Sequence, residues 1–292
     1  MKNNKYEIDM CNGTLMDKLI SFSLPLMLSG ILQLLFNAVD IIVVGRFTGS
    51  QALAAVGSTT ALINIFTNLF IGISLGANVL AARFYASGKE KEMSETVHTS
   101  ITLALISGLV MALAGVLLAR FALNLMGTPN DVIDQSVLYM RIYFLGMPFF
   151  MLYNYGAAIL RAVGDTKRPL FFLVISGMTN AVLNLVLVIV FHMGVAGVAI
   201  GTIVSQLISS ILVLRCLYTS NTSYRLYFSK LGIKTQYLKQ IFQVGIPAGI
   251  QSTVINLSNA LLQSSVNSFG SVAMAGYTAA NNIFGFLYMS VN

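Results

Sequence analysis

The chain of 292 residues is 56% apolar and only 9% charged, with a mean hydropathy of +0.79. Soluble domains carry about 25% charged residues, so this composition excludes a water-soluble globule, a disordered chain and a nucleic-acid-binding protein. The net charge of +7 indicates no nucleic-acid partner, because the basic residues follow the topology of a membrane protein.

Long apolar runs follow one another along the chain and predict membrane-spanning helices. A span needs about 20 apolar residues, and lipid favours helices because the backbone must satisfy its own hydrogen bonds. The runs do not alternate between apolar and polar residues as the strands of a membrane barrel do. The predicted spans cover residues 19–45, 52–84, 96–125, 132–160, 170–191, 195–217 and 238–266, and an eighth begins at 272.

The distribution of lysine and arginine predicts the orientation of these spans. Fourteen of the 17 basic residues lie in the N-terminal segment or in the loops after the second, fourth and sixth spans. Arg46 and Arg120 lie on the other side, and Arg141 lies inside the fourth span. Because cytoplasmic loops carry the excess of basic residues, we expect a multi-pass protein of the plasma (inner) membrane with its N-terminus in the cytoplasm.

The seventh run repeats the first, since Pro25 aligns with Pro247 and Asn37 with Asn259 at an offset of 222 residues. Six spans lie between the two starts, so both copies begin on the same side, as in a parallel repeat. The predicted fold is an all-α polytopic membrane protein with one six-helix lobe and the first one to two helices of a second lobe. Its parts are the first lobe at 1–218, a cytoplasmic linker at 219–237 and the truncated start of the second lobe at 238–292. The chain is therefore expected to be a fragment of a twelve-span protein.

Asp40 is the one acidic residue expected inside a span, because the other nine acids lie in the N-terminal segment, in loops or in first turns of helices. A charge at the bilayer centre costs about 2.5–3.5 kcal/mol on insertion scales, so an intramembrane carboxylate indicates a functional site. Burial favours the neutral form of a carboxyl group, and such a group can bind a proton on one side and release it on the other. The structural alternative is an Asp40 near the outer interface, paired with Arg46 or Arg141.

Asp40 shares one helix face with Gln33 and Asn37, at i, i+4 and i+7 spacing. The second copy has a matching polar stripe, but Leu262 stands at the position of Asp40. Cation coupling is therefore expected in the first lobe only, while the two stripes are expected to line a substrate pathway. The residues of the second stripe are Asn256, Asn259 and Gln263.

Depth in the membrane selects partners for Asp40, which lies about 9 Å before the outer end of its span at 1.5 Å per residue. Asn180 and Asn184 lie at a similar distance from the outer end of the fifth span, and Thr202 lies near the same level on the sixth. Their oxygens are placed to hydrogen-bond a protonated Asp40 or to ligate a small cation such as Na⁺. For each asparagine, an ordinary hydrogen bond between helices is the alternative.

The remaining chemistry-bearing residues indicate no other site. The two cysteines give neither a disulfide scaffold nor zinc spacing, and the two histidines are isolated. The chain has no GxxxxGKS or GxxxxGKT pattern, and its spans hold no second aspartate, HExxH or Ser/His pair, so neither a cofactor nor an enzymatic activity is expected. Arg141 is expected to extend outward between Tyr139 and Tyr143, with binding of substrate or of Asp40 as the alternative.

Three segments resemble the multidrug and toxic compound extrusion (MATE) family: the helix from Pro25 to Asp40, Gly76-Ala-Asn-Val-Leu-Ala-Ala-Arg83, and Arg161-Ala-Val-Gly-Asp-Thr-Lys-Arg-Pro169. The resemblance covers essentially all 292 residues. It implies twelve helices in two lobes, and export of organic cations and other amphipathic compounds against entry of protons or sodium ions.

The resemblance also implies that Asp40 is the coupling carboxylate, with Asn180 and Thr202 beside it. Many members of the family carry a second acid on the fifth helix, where this chain has Asn184. This departure favours a single proton-titrating Asp40 over a sodium site built from two acids.

The leading hypothesis is a secondary antiporter that exchanges amphipathic or cationic xenobiotics for H⁺, or for Na⁺. Its expected partners are small-molecule drugs and the lipid bilayer, and the full-length protein is expected to be monomeric. One alternative is a flippase for lipid-linked saccharides, although a groove for phosphates needs several cationic residues and Arg141 is the only deep one. A non-transporting fragment is the other alternative.

Overall fold

The computed structural model describes residue 8 and residues 14–267 apart from 129 and 131, and every structural statement below concerns that part of the chain. The side chains at 15, 50, 58, 61, 256 and 259–267 lie outside the description. The eighth predicted span, which begins at 272, lies outside the described residues as well.

Eight α-helices form most of the described chain, and the described residues include no strand. Their bounds are α1 Leu15–Phe47, α2 Ser50–Ala86, α3 Glu90–Leu125, α4 Ile133–Leu145, α5 Met147–Ala162, α6 Lys167–Leu185, α7 Gly194–Thr219 and α8 Thr235–Asn267. A π-helical turn, Val186–Val190, continues α6, and a 3₁₀ turn, Phe228–Lys230, lies between α7 and α8.

The helices confirm an all-α polytopic membrane protein. Within the described residues, five helices are long and apolar enough to cross a membrane, namely α1, α2, α3, α7 and α6 with its π-helical turn. The bent pair α4–α5 gives a sixth span if its two helices are counted as one. The seventh predicted span, residues 238–266, lies on α8, a helix of 33 residues that is not among the described helices apolar enough to cross a membrane. Its composition is less apolar than that of the other six spans, because Gln251, Ser252 and Thr253 lie near its middle.

The fourth predicted span is bent rather than continuous, because α4 and α5 meet at an angle of 47°. Pro148 in the first turn of α5 has no N–H to continue the hydrogen bonds of α4. Gly108 of α3 lets the bend approach closely, since a Cβ at this position would lie 2.4 Å from Pro148 Cα. The bend therefore involves the contact between Gly108 and Pro148, and the pattern of apolar residues alone does not predict this contact.

The turn between the π-helical turn and α7 reverses the chain in three residues. His192 and Gly194 both take left-handed backbone angles there, with φ of 54° and 56°. His192 is exposed in this turn.

Helix α5 forms the centre of the lobe and packs against α2, α3 and α7. Its side chains Met147, Met151, Tyr155 and Ile159 are fully buried. Helix α1, in contrast, lies at the edge and packs mainly against α6. Many apolar side chains of α1 are exposed in the described chain, so comparatively little packing within the lobe holds α1 in place.

Helices α2 and α8 are joined by interlocked glycines, Gly72 and Gly76 on α2 and Gly245 and Gly249 on α8. A Cβ on Gly72 would lie 2.2 Å from Gly249 Cα, and a Cβ on Gly76 would lie 2.2 Å from the carbonyl oxygen of Ile241. The two backbones therefore touch, as in the small-residue packing of membrane helices. The GxxxG spacing is visible on both helices in the sequence, but it does not identify which two helices pair.

The segment between α7 and α8, residues 220–234, is fixed to the rest of the lobe. Tyr224 and Leu226 of this segment are fully buried. The Arg168 guanidinium donates to the Tyr224 hydroxyl over 3.3 Å and also pairs with the buried Asp165. The N–H of Leu226 donates to the carbonyl oxygen of Leu217 over 3.1 Å.

The contact between α2 and α8 predicts opposite effects for the same substitution at two glycines of α2. Gly76→Ala should lower the free energy of unfolding by about 1–3 kcal/mol, because the new methyl group meets backbone that must move apart. Gly57→Ala should leave stability unchanged or raise it by up to about 1 kcal/mol, the usual helix preference, because nothing lies within 4 Å of a Cβ there. Thermal unfolding of both variants in detergent tests this, and equal midpoints would contradict the packing.

Candidate functional site

Asp40 lies on α1 facing α6, where it is half-buried. Asn184 of α6 donates from Nδ2 to Asp40 Oδ1 over 2.5 Å. Asn184 is itself fully buried, so the carboxyl group meets an amide inside the protein rather than water. Among the contacts described, this is the one hydrogen bond to the Asp40 carboxyl group, and it joins α1 to α6.

The hydrogen bonds continue from Asn184 into α7. The second N–H of Asn184 donates to Asn180 Oδ1 over 3.3 Å, and Asn180 Nδ2 donates to Thr202 Oγ1 over 3.4 Å. Thr202 Oγ1 in turn donates to the carbonyl oxygen of Val198 over 2.9 Å. Asp40, Asn184, Asn180 and Thr202, which the sequence predicts to lie at the same depth in the membrane, are therefore joined by one continuous chain of hydrogen bonds across α1, α6 and α7.

One atom of this cluster lacks a partner. Asn184 Oδ1 is buried and accepts no hydrogen bond within the described part of the chain. Gly201 of α7 lies directly against it, because a Cβ on Gly201 would come within 2.2 Å of this oxygen. A larger residue at 201 would require the Asn184 amide to shift, and the unpaired oxygen is available as an acceptor.

Two tyrosines of α4 complete the surroundings of Asp40, and the sequence analysis missed them as site residues. Tyr139 and Tyr143 are close enough to Asp40 to interact with it electrostatically, and their ring centroids lie 6.0 Å apart. The Tyr143 hydroxyl also hydrogen-bonds the side chain of Gln206 on α7. Their i, i+4 spacing places both tyrosines on one helix face. From the sequence, however, we expect them only to flank Arg141.

The arginines considered as partners of Asp40 lie elsewhere. Arg141 is exposed, and its Nε donates to the carbonyl oxygen of Val116 over 3.2 Å. Arg46 is exposed in the last turn of α1. The ion pairs found among the described residues are Arg120 with Asp134 and Arg168 with Asp165, so no ion pair in that part of the chain involves Asp40.

Of the residues expected to line a substrate pathway, Gln33 and Asn37 make no hydrogen bond to this cluster among the contacts described. Gln33 and Asn37 are exposed on α1. Asn256, Asn259 and Gln263 lie on α8, but their side chains are outside the described set. The described residues also include no group of three or more His, Cys, Asp or Glu that could hold a metal ion.

Six apolar spans, one of which carries a half-buried carboxyl group, define a multi-pass membrane protein. The family model MatE matches residues 25–186, more than half of the chain, and the chain belongs to this family. Members of the family are transporters, not enzymes.

Curated relatives agree with this assignment. The chain is 34% identical over 277 residues to the "Probable multidrug resistance protein YoeA" of Bacillus subtilis (strain 168), covering 92% of this chain and 59% of that protein. It is 29% identical over 275 residues to the "Probable multidrug resistance protein YpnP" of the same organism, covering 94% of this chain and 61% of that protein. The chain thus spans about three fifths of the length of these relatives.

Solved structures share the fold. The outward-facing conformation of a multidrug resistance MATE family transporter matches with a TM-score of 0.91 and 23% identity, over 100% of this chain and 64% of that one. A crystal structure of MATE in the bent conformation matches with a TM-score of 0.87 and 23% identity, over 95% of this chain and 63% of that one. At this identity the similarity establishes the fold alone.

The hydrogen bond from Asn184 predicts a stability effect that depends on pH. Asn184→Leu removes the donor of Asp40, which should cost about 1–3 kcal/mol where the carboxyl group is ionised. The cost should shrink at acidic pH, because a neutral carboxyl group needs that donor less. Asn154→Leu is the matched control, because Asn154 is also an amide within a span but donates only to Phe150 of its own helix, over 2.8 Å.

Thermal unfolding of both variants at acidic and at alkaline pH distinguishes the two cases. We expect a pH-dependent loss for Asn184→Leu and a pH-independent change for Asn154→Leu. The same pH dependence in both variants would show that Asp40 does not depend on Asn184.

Proposed function

We propose that this chain supplies the first lobe of a secondary active multidrug efflux antiporter, in which Asp40 couples export of amphipathic or cationic xenobiotics to entry of H⁺. The observation that carries the proposal is the half-buried Asp40 carboxyl group within a span, held by a buried amide donor. Membership of the MatE family and the multidrug resistance names of the relatives support the substrate class.

Asn184 can serve Asp40 in both protonation states. An ionised carboxyl group only accepts hydrogen bonds, and Asn184 Nδ2 donates to it in the present arrangement. A protonated carboxyl group has an O–H to donate, and the buried Asn184 Oδ1 is an acceptor without a partner. Rotation of the amide would present this oxygen to the protonated carboxyl group, so each state of Asp40 has its own hydrogen-bonding geometry.

Because α1 packs loosely, a change in the hydrogen bonds of Asp40 can move this helix. Helix α1 packs mainly against α6, and much of its surface is exposed within the described chain. A proton on Asp40 would change the hydrogen bonds between α1 and α6, and thereby favour one conformation of the lobe over another. Coupling requires such a difference in free energy between two states, and one charge crossing 100 mV supplies about 2.3 kcal/mol.

A proton is favoured over a sodium ion as the coupling ion. Sodium in transporters is coordinated by oxygen atoms, whereas Asn184 presents its N–H group to Asp40 over 2.5 Å. The runner-up is a sodium site formed by Asp40, Asn180 and Asn184, with Thr202 beside it. That site needs both amides to turn their oxygens toward the ion.

The distribution of basic residues supports a cytoplasmic N-terminus. It also supports a cytoplasmic linker at 219–237, between a first lobe at 1–218 and the start of a second lobe at 238–292. Gln33 and Asn37 are exposed on the helix face of α1 that also carries Asp40. Together with the stripe on α8 they would line the path of the substrate in a monomeric full-length protein. The second stripe contains Asn256, Asn259 and Gln263.

The Asp40→Asn substitution in the full-length protein tests the proposal. This variant cannot titrate, so efflux of a fluorescent organic cation driven by an imposed pH gradient should fall at least about tenfold, equivalent to 1.4 kcal/mol or more in the barrier. Membrane insertion should be unchanged, because the asparagine keeps the size of the side chain. Asp134→Asn is the matched control, because Asp134 is exposed and pairs with Arg120 over 3.4 Å.

The outcomes separate the two coupling ions. Full-rate efflux by Asp40→Asn that still follows the pH gradient would contradict the coupling role of Asp40. Efflux by the wild type that follows an imposed Na⁺ gradient at constant pH, and is lost in Asp40→Asn, would keep Asp40 and replace the proton by sodium.

A further inference from the structure

A polar cavity of about 710 Å³ lies between the start of α3 and the segment that joins α7 to α8. From α3 it is lined by Lys91, Ser94, Glu95 and His98, which lie in the first three turns of the helix. The opposite wall is formed by residues 229–234. None of its lining residues is Asp40 or one of the hydrogen-bonding partners of Asp40, and the proposed efflux mechanism does not involve this cavity.

Two hydrogen bonds hold the walls of this cavity at fixed positions. The N–H of Tyr227 donates to Nε2 of the buried His98 over 3.0 Å, and the N–H of Lys234 donates to Thr99 Oγ1 over 3.3 Å. The His98 ring also stacks on Tyr227, with ring centroids 6.2 Å apart. The residues between these two anchors therefore arch over the start of α3 and leave the cavity beneath them, so the site is formed before any ligand enters.

The cavity carries an excess of positive charge. Lys91, Lys230 and Lys234 line it and are exposed, and Glu95 is the one acidic residue of the lining. The hydroxyl group of Tyr237 hydrogen-bonds Glu95. None of the ion pairs found among the described residues involves these three lysines. Three lysines and one glutamate thus line the same cavity, and Nζ of Lys230 lies 4.8 Å from the centroid of the Tyr227 ring.

We propose that this cavity binds a phosphate group, carried either by the headgroup of an anionic phospholipid or by a soluble phosphate compound. Several lysines around one cavity match a compact, multiply charged oxyanion, since lysine binds phosphate as a point charge. The assignment of the cavity to the cytoplasmic side rests on the orientation proposed above. The cytoplasmic leaflet holds anionic lipids that attract basic residues at the membrane surface.

Exposed apolar side chains beside the cavity favour the lipid as the source of the phosphate. Phe228 is 54% exposed and Ile233 is 39% exposed, and both belong to the arch that covers the cavity. Tyr218 at the end of α7 packs against Phe228, with ring centroids 5.6 Å apart. Aromatic side chains of this kind are common at the level of lipid headgroups, so a lipid can place its phosphate in the cavity while these side chains contact its glycerol and upper acyl regions.

A lysine substitution in the full-length protein tests the proposal. The cavity variant carries Lys91→Gln, Lys230→Gln and Lys234→Gln, all at exposed positions that should fold normally. The matched control carries Lys18→Gln, Lys167→Gln and Lys239→Gln, which make the same charge change on the same side but outside the cavity. Unfolding midpoints are measured in neutral lipid with added phosphatidylglycerol in one arm and added glycerol phosphate in the other, because a ligand of the folded state raises the midpoint.

We expect phosphatidylglycerol to stabilise the wild type and the control, and its apparent affinity to fall at least about tenfold in the cavity variant, because each lysine at a membrane surface adds to the attraction for anionic lipid. The same pattern with glycerol phosphate alone would keep the phosphate site and assign it to a soluble ligand. Equal responses of the cavity variant and the control to both probes would overturn the proposal. The assay needs no transport, so its result is independent of the role of Asp40.

Discussion

The hydrogen bond from Asn184 to Asp40 is the interaction on which the site depends, because it holds a carboxyl group of one membrane helix against a buried amide of another. The amide is fixed in turn by Asn180, which hydrogen-bonds Thr202 on α7. Gly201 permits this arrangement, since a Cβ at this position would lie 2.2 Å from the amide oxygen of Asn184 and the amide would have to shift. Three helices are thereby linked through one set of polar groups in otherwise apolar surroundings.

The same interaction relates the site to the shape of the lobe. Helix α5 is buried at the centre and is fixed by α2, α3 and α7, whereas α1 lies at the edge and packs mainly against α6. A change in the hydrogen bonds of Asp40 therefore acts on the less constrained helix. The glycine contact between α2 and α8 and the buried Tyr224 and Leu226 hold the segment between α7 and α8 against the other side of the lobe.

Much of the fold could be predicted from the sequence, because a membrane span is set by the length and polarity of one continuous segment. Depth along straight helices also sufficed to bring Asp40, Asn180, Asn184 and Thr202 to one level, where the structure joins them by hydrogen bonds. The bend at Pro148 was missed because its effect depends on the facing Gly108, a contact between distant parts of the chain.

The rest of the site was missed for a related reason. Tyr139 and Tyr143 lie near Asp40 as a result of how α4 packs against α2 and α7. The hydropathy of a span does not specify which face of the helix contacts which neighbouring helix. The glycines at 72, 76, 245 and 249 show the spacing of close helix pairs. Spacing alone does not say which two helices pair, so the contact required the three-dimensional structure.

The most direct test of the account is a count of the protons released when the full-length protein binds an organic cation such as tetraphenylphosphonium. A pH-sensitive dye in weakly buffered detergent solution reports the release, and fluorescence titration reports the binding. If substrate and proton favour different states, as coupled exchange requires, the wild type should release protons at neutral pH, while Asp40→Asn should bind the cation and release none. Equal proton release by the wild type and Asp40→Asn would contradict the assignment of Asp40 as the coupling carboxylate.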